Sequence, residues 1–267
     1  MKRRFRYEIV FRPGLRWSES ERRSRVAQLR EVGALCLEPF PEYQLFLGTR
    51  EELSDKLLIE ARGPDGSLAG FCSAVLLDVP GVGEILHLGL TCVRPEARGA
   101  ALTHSLSSRL VLRYLLQHPP WRRVYVTNVA AVLSSLGNFA VNLVRAYPSP
   151  SFEGPVPAAY LEIGRAFDRR YRAKAHVQPE ARWDEAAFVF RGSGRGTAFQ
   201  KEADDVQYHH RDPELNRFYQ QRLRFEDGDE MLQVGMLSLF DLARYFARGW
   251  SRGRARSGGR RPEPSSR

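Results

Sequence analysis

Between a β-forming run ending at Val93 and an amphipathic run beginning at Leu102 stands Arg94-Pro-Glu-Ala-Arg-Gly-Ala-Ala101. Small residues let a backbone approach a ligand closely. The start of a helix leaves its first N–H groups unpaired and partly positive. Such a turn suits a phosphate or pyrophosphate, and Arg98 adds a cationic fork for the same charge. Glu84 opens the strand that ends at Val93, and His87 lies midway along it. Either becomes a general base if its surroundings bring its pKa toward neutrality. Tyr147 and Tyr219 offer hydroxyls that can return a proton. Asn128, in Val-Thr-Asn, carries an amide that can hydrogen-bond a ligand or cap the helix that follows. Thr91 and Cys92 read as packing residues, and only position marks Cys92 for a covalent route.

The elements that hold these residues follow from periodicity and turn chemistry. Residues 6–11 (RYEIVF) alternate and read as a strand. Ser18 or Ser20 caps a helix running to about 32, with Glu19 and Glu21 in its first turn. A short helix is expected over 50–56. The runs 57–61 and 68–79 flank Gly63-Pro-Asp-Gly66, a hairpin signal. A third strand covers 84–93. A helix is expected over 102–117, a strand over 122–127 and a helix over 131–146, stopped by Pro148 and Pro150. Further on, 158–172 reads as a helix and 186–190 as a strand. Asp212-Pro213 opens a helix through about 221. Asp227-Gly228 turns into a strand at 231–237, and a helix through 247 follows. No internal repeat is present.

The string Val93, Pro95, Glu96, Arg98, Gly99 and Leu102 resembles the acyl-CoA loop of the GNAT superfamily of N-acetyltransferases. There a strand ends in Val-x-Pro-x-x-Arg-Gly-x-Gly-[Ile/Leu]-Gly and leads straight into a helix. Ala101 and Thr103 stand where that pattern has glycine. The resemblance covers 57–146, with 6–32 as its opening. It implies an α/β (α+β) fold with a splayed, mixed central sheet flanked by helices, completed by strands at 186–190 and 231–237. It implies that Val93, Arg98, Gly99, Ala100, Ala101, Leu102 and Thr103 hold the pyrophosphate of acetyl-CoA or another acyl-CoA. Asn128 would meet the pantetheine. Glu84 lies near where such enzymes place the base, and Tyr147 lies where the acid that protonates the thiolate is looked for. Asn138 matches part of the family's Asn…Tyr pattern, but Arg145 stands at the tyrosine spacing; Tyr219 imitates the pattern with one residue too many.

Composition bounds the rest. The chain has 267 residues, is 43% hydrophobic and carries a formal net charge of +10. Most of that charge sits in Lys2, Arg3, Arg4 and Arg6 and in the arginine-rich segment 250–267, so the body is nearly neutral. The expected organisation is a core over 1–150, a completion of the sheet with an insertion over 151–249, and a disordered tail over 250–267. No apolar run reaches the length of a membrane span, and the N-terminus lacks the apolar stretch of a signal peptide. The three cysteines, Cys36, Cys72 and Cys92, form no CxxC pair, which argues against a thiolate zinc site. They read as small buried hydrophobes in a reducing cytoplasm. His209-His210 with Asp212 is an awkward chelate, because adjacent residues of an extended segment face opposite ways. No metal is expected. Residues 192–196 lack the lysine and spacing of a phosphate loop.

The expected function is transfer of an acyl group, most simply acetyl, from a CoA thioester to the amine of a small molecule or protein. The alternatives are a catalytically silent sensing or interaction module of the same fold, and an acyltransferase that takes its donor from an acidic acyl carrier protein steered by the basic ends. Few aromatics interleave with the tail's arginines, so nucleic acid is not the expected partner.

Overall fold

The computed structural model describes residues 5–98 and 101–243. The arginine-rich ends, Gly99 and Ala100 lie outside them. A nine-stranded mixed sheet runs through the molecule. Strands β1 (Arg6–Phe11), β2 (Lys56–Arg62), β3 (Leu68–Val79) and β4 (Gly83–Val93) pair antiparallel in sequence order. Strand β5 (Val124–Ala130) joins β4 in parallel, and β9 (Glu230–Leu237) pairs antiparallel with β5 along its whole length. The far edge is built by β6 (Val144–Tyr147), β7 (Arg182–Asp184) and β8 (Val189–Arg191). This is the mixed sheet with flanking helices that the sequence leads one to expect.

Alternation along the strands puts helices on both faces. Leu57, Ile59 and Ala61 pack with Leu102, Leu106 and Leu110 of α4 (Leu102–Leu115). Leu58, one residue out of phase, packs on the other face against Leu29 and Val32 of α2 (Glu19–Ala34). The short helices α1 (Pro13–Arg16) and α3 (Gln44–Leu47) lie to either side of α2 in sequence. Further along that second face, α6 (Ala158–Ala166) and the π turn that continues it cover Val75, Leu77 and Val234. Helices α5 (Leu133–Asn142) and α7 (Pro213–Gln220) share the α4 face and bury Met231. Arg25 ties α2 to the sheet by reaching Glu8 at 2.8 Å and the buried Glu60 at 3.1 Å.

Several boundaries differ from expectation. The helix expected over 131–146 ends at Asn142, because Leu143 turns extended and Arg145 takes a left-handed φ of 52°. The chain then pairs Val144 with Met236 and Tyr147 with Val234. Gly235 makes this possible: a Cβ there would stand 2.7 Å from that of Leu143. Tyr147 is therefore a strand residue, not the end of a helix. Residues 50–55 form turns rather than a helix. The strand expected at 186–190 is displaced to Val189–Arg191, after Phe188 at φ 56°. The strand placed at 122–127 begins at Val124 and ends at Ala130. Ser18, not Ser20, caps α2 by accepting from the Glu21 N–H, and Asp212 caps α7 as expected.

Candidate functional site

The parallel β4–β5 ladder holds only three pairs: Leu86 with Val126, His87 with Thr127 and Leu88 with Asn128. Both strands continue, β4 to Val93 and β5 to Ala130, but they part. The divergence has a local cause. Between β3 and β4 the register slips, so that Cys72 meets Thr91 while Ala74 meets Leu88. Gly89 and Leu90 form the bulge, and a bulge bends its strand. Gly89 is needed there, because a Cβ would stand 2.7 Å from the Tyr43 hydroxyl and 3.0 Å from Ser73 Oγ. Beyond Leu88 the β4 backbone has no ladder partner on its β5 side among the described residues.

Asn128 sits at the mouth of this splay. It is 8% exposed, and its Oδ1 has no hydrogen-bond partner among the described residues. Its cross-strand neighbour is Gln233, so the two side chains share the α4–α5 face. Gln233 Nε2 donates to the carbonyls of Leu136 and Pro148 and, at 2.8 Å, to the Tyr219 hydroxyl. That leaves Gln233 Oε1 buried without a donor as well. Two buried acceptors side by side without donors are costly unless a ligand supplies N–H groups. Asn128 does not cap the next helix, whose N-cap is Val132.

The loop leads from the open end of β4 to α4. Val93 is buried, and Pro95–Ala97 form one 3-10 turn. Arg94 is spent inside the protein, donating to Leu68 O at 2.7 Å and pairing with Glu31. Arg98 is exposed. Ala101 has φ 53° and ψ 27°, the left-handed conformation that favours glycine. Among the described residues no side chain caps α4 and no acid stands in its first turn. Leu102 is buried as the anchor, and Thr103 is exposed, facing outward beside the free N–H groups. Gly99 and Ala100 lie outside the described residues.

The remaining candidates are placed elsewhere. Glu84 is four residues before Leu88, about 13 Å along the strand, and accepts from the Tyr114 hydroxyl at 3.2 Å. Tyr147 pairs with β9, which lies beyond β5, and so is roughly 10 Å from β5; its ring sits 4.9 Å from both Phe152 and Phe188. The sheet brings neither to Asn128. His87 is buried beside Thr127 Oγ1 at 3.0 Å, and burial pushes its pKa down to about 3. Tyr219 is fully buried and its pKa is raised by burial. His209 bonds the Ala203 carbonyl and His210 accepts from the Asp212 N–H, so both have local structural partners. Among the described residues no cluster of His, Cys, Asp or Glu could hold a metal.

One residue was not singled out by sequence. Glu230 begins β9 and is buried, its Oε2 accepting from Ser193 Oγ at 2.6 Å. Burial raises its pKa to about 7, against the lowering pull of Ser193 and Lys201. It pairs with Phe190 and shares alternation with Leu232 and Val234, which places it on the face opposite Asn128. It stands one strand from β5, at the end where β5 leaves β4. A single acid before an apolar run reads as an exposed strand end, so sequence carried no signal for it.

No protein-family model matches the chain, and no curated protein does. Solved structures that are similar include ElaA of Escherichia coli, at 19% identity over 55% of this chain and 95% of that one, with TM-score 0.38. A putative acetyltransferase of the GNAT family from Desulfovibrio desulfuricans is 12% identical, covering 88% and 99%, with TM-score 0.37. YhbS of Escherichia coli, a GNAT family N-acetyltransferase solved in complex with CoA, is 18% identical over 47% and 63%, with TM-score 0.26. Two of these three carry the GNAT name. No described helix is long and apolar enough to cross a membrane.

Proposed function

We propose that the chain is an N-acyltransferase of the GNAT superfamily, using acetyl-CoA or another acyl-CoA as donor. The observation that carries this reading is the splay beyond Leu88 and Asn128, with the buried, donor-less Asn128 Oδ1 at its mouth and β4 leading on from it to an uncapped helix start. Pantetheine carries amide N–H groups, and Asn128 Oδ1 would accept from one of them. The free N–H groups of α4 and the Arg98 guanidinium would hold the pyrophosphate. The unpaired edge of β4 offers backbone donors for the thioester carbonyl, whose oxygen gains charge as an amine attacks.

The attacking amine would approach from the opposite face, where Glu230 lies. A carboxyl group titrating near neutrality is suited to accept the ammonium proton at physiological pH. The amine nitrogen then bonds the carbonyl carbon, and the CoA thiolate leaves as the carbonyl reforms. Glu84 and Tyr147, the base and acid the resemblance implied, are not assigned these roles, because Glu84 accepts from Tyr114 in the paired part of β4 and the Tyr147 ring packs against Phe152 and Phe188.

Release of free thiol from acetyl-CoA and octanoyl-CoA across a panel of small amines and peptide amines tests the reading. Amine-dependent thiol release that drops by about a hundredfold in Glu230→Gln supports it, in line with the usual size of general-base contributions. CoA binding without transfer to any amine would favour a silent module of the same fold. The position of Glu84 and Tyr147 away from the splay is what speaks for that second reading.

A further inference from the structure

Two thiols meet at the loop between β4 and α4. Cys36 follows the end of α2, its N–H bonded to Gly33 O, and is half-buried. Its Sγ lies 3.3 Å from Val93 O and 3.9 Å from Arg98 Nη2. Cys92, the neighbour of Val93, is buried in the same cluster against which Cys36 packs. Both are free thiols. The third cysteine, Cys72, is buried on the opposite face of the sheet, 3.9 Å from Ser107 Oγ of α4. The fold therefore pairs two of the three thiols and isolates the third.

We propose that Cys36 and Cys92 form an oxidant-driven disulfide that controls the donor-phosphate loop through Arg98. The asymmetry of the pair suits the chemistry. Cys92 and the nearby Arg98 guanidinium hold the Cys36 thiol below the usual range, whereas Cys36 and burial push Cys92 up. Cys36 is thus the more acidic thiol of the pair and Cys92 the less acidic. The Arg98 guanidinium acts on both thiols, and the buried Cys72 thiol acts on Cys92.

With a hydroperoxide as oxidant, the Cys36 thiolate attacks one peroxide oxygen. The O–O bond breaks, hydroxide leaves and takes a proton, and Cys36 becomes a sulfenic acid. Cys92 then loses its proton and attacks the Cys36 sulfur. The S–S bond forms as the S–O bond breaks, and the hydroxyl departs as a second water. Two thiols lose two electrons and the peroxide gains them. The product has no thiolate beside Arg98, and the segment after α2 is covalently tied to the end of β4. Its effect on donor binding rests on the reading of this loop as the pyrophosphate site, whereas the disulfide itself does not.

The test treats the full reduced chain with hydrogen peroxide and follows intact mass, peptide maps and CoA binding. The proposal expects loss of two hydrogen atoms, a peptide linked between Cys36 and Cys92, and Cys72 still alkylatable. CoA should bind the oxidised chain about tenfold more tightly than the reduced one, because loss of the thiolate releases the Arg98 guanidinium for about one charge-assisted contact to the pyrophosphate. Cys36→Ser should abolish the link, and Cys92→Ala should leave a Cys36 sulfenic acid that dimedone traps. Arg98→Ala should move the pH midpoint of Cys36 alkylation upward while its melting temperature stays that of the parent. A link through Cys72, or over-oxidation of Cys36 without any link, overturns the proposal. CoA binding that is equally tight in both states overturns the control of the loop. Absence of CoA binding in the reduced chain, with the link formed, refutes the donor-site reading instead.

Discussion

Leu88 and Asn128 are the last paired residues of the one parallel ladder among the described residues, and the bulge at Gly89 and Leu90 drives β4 away from β5 just beyond them. Asn128 is left with a buried Oδ1 that nothing described satisfies. An unsatisfied acceptor weakens the unliganded protein and rewards a ligand that brings a donor.

Asn128→Leu should therefore have opposite effects on the free and bound states. The apolar isostere removes the orphan acceptor, so the free protein should be unchanged or gain up to about 1 kcal/mol. Stabilisation by CoA, roughly 2.7 kcal/mol at a hundredfold excess over Kd, should fall by more than half. Thermal melts with and without CoA measure both. A variant that is destabilised when free but keeps its CoA shift contradicts the role given to Asn128.

Gly89→Ala tests the bulge. The added methyl would meet the Tyr43 hydroxyl at 2.7 Å and Ser73 Oγ at 3.0 Å. Tyr43 is buried against Phe46 and cannot swing away freely. A loss of about 1–3 kcal/mol is expected, read as a lower urea midpoint. An unchanged midpoint would mean that Gly89 is not set by close approach.

Ala101→Gly should stabilise the chain. A left-handed non-glycine residue costs about 1–2 kcal/mol, and the extra unfolded-state entropy of glycine returns about 0.4–1 kcal/mol. A net gain of about 0.5–1 kcal/mol follows. A lower melting temperature would contradict the φ of 53° at Ala101.

Glu230 should make stability fall as pH rises. Its folded pKa is raised to about 7, above its value in the unfolded chain. Below the unfolded pKa, near 4.5, both states are protonated and stability is at its full value. As pH rises, the unfolded chain releases its proton first, so stability declines until the folded group also ionises near pH 7. Glu230→Gln should remove this decline and be more stable relative to the parent at pH 8 than at pH 5. A parallel pH profile for the two proteins would rule it out.

The parts of this fold that were legible are those in which local chemistry and tertiary need agree. The hairpin of β2 and β3 was visible because Gly63-Pro-Asp-Gly66 separates two β-rich runs, and α7 because Asp212 and Pro213 stand at cap and first turn. The turn between β4 and α4 was legible as a string of small residue types between a strand and a helix. Strand β6 was not, because Leu143 and Val144 continue a helical apolar pattern, and only the edge of β9 and the bare surface of Gly235 draw them into the sheet. Cys36 read as one more small hydrophobe, since nothing near it in sequence announces Arg98 or Cys92. Glu230 was hidden for a like reason: its pKa is made by burial and by Ser193, which is far away in sequence. Glu84 and Tyr147 were chosen by family position, and neither lies at the splay.

The measurement that bears most directly on the central claim is a calorimetric titration of CoA into the full reduced chain and into Arg98→Glu. The account predicts saturable binding to the parent and at least about a hundredfold weaker binding to the variant, because a cation at the pyrophosphate is replaced by an anion. Equal affinity for both proteins, or no binding to the parent, would contradict it.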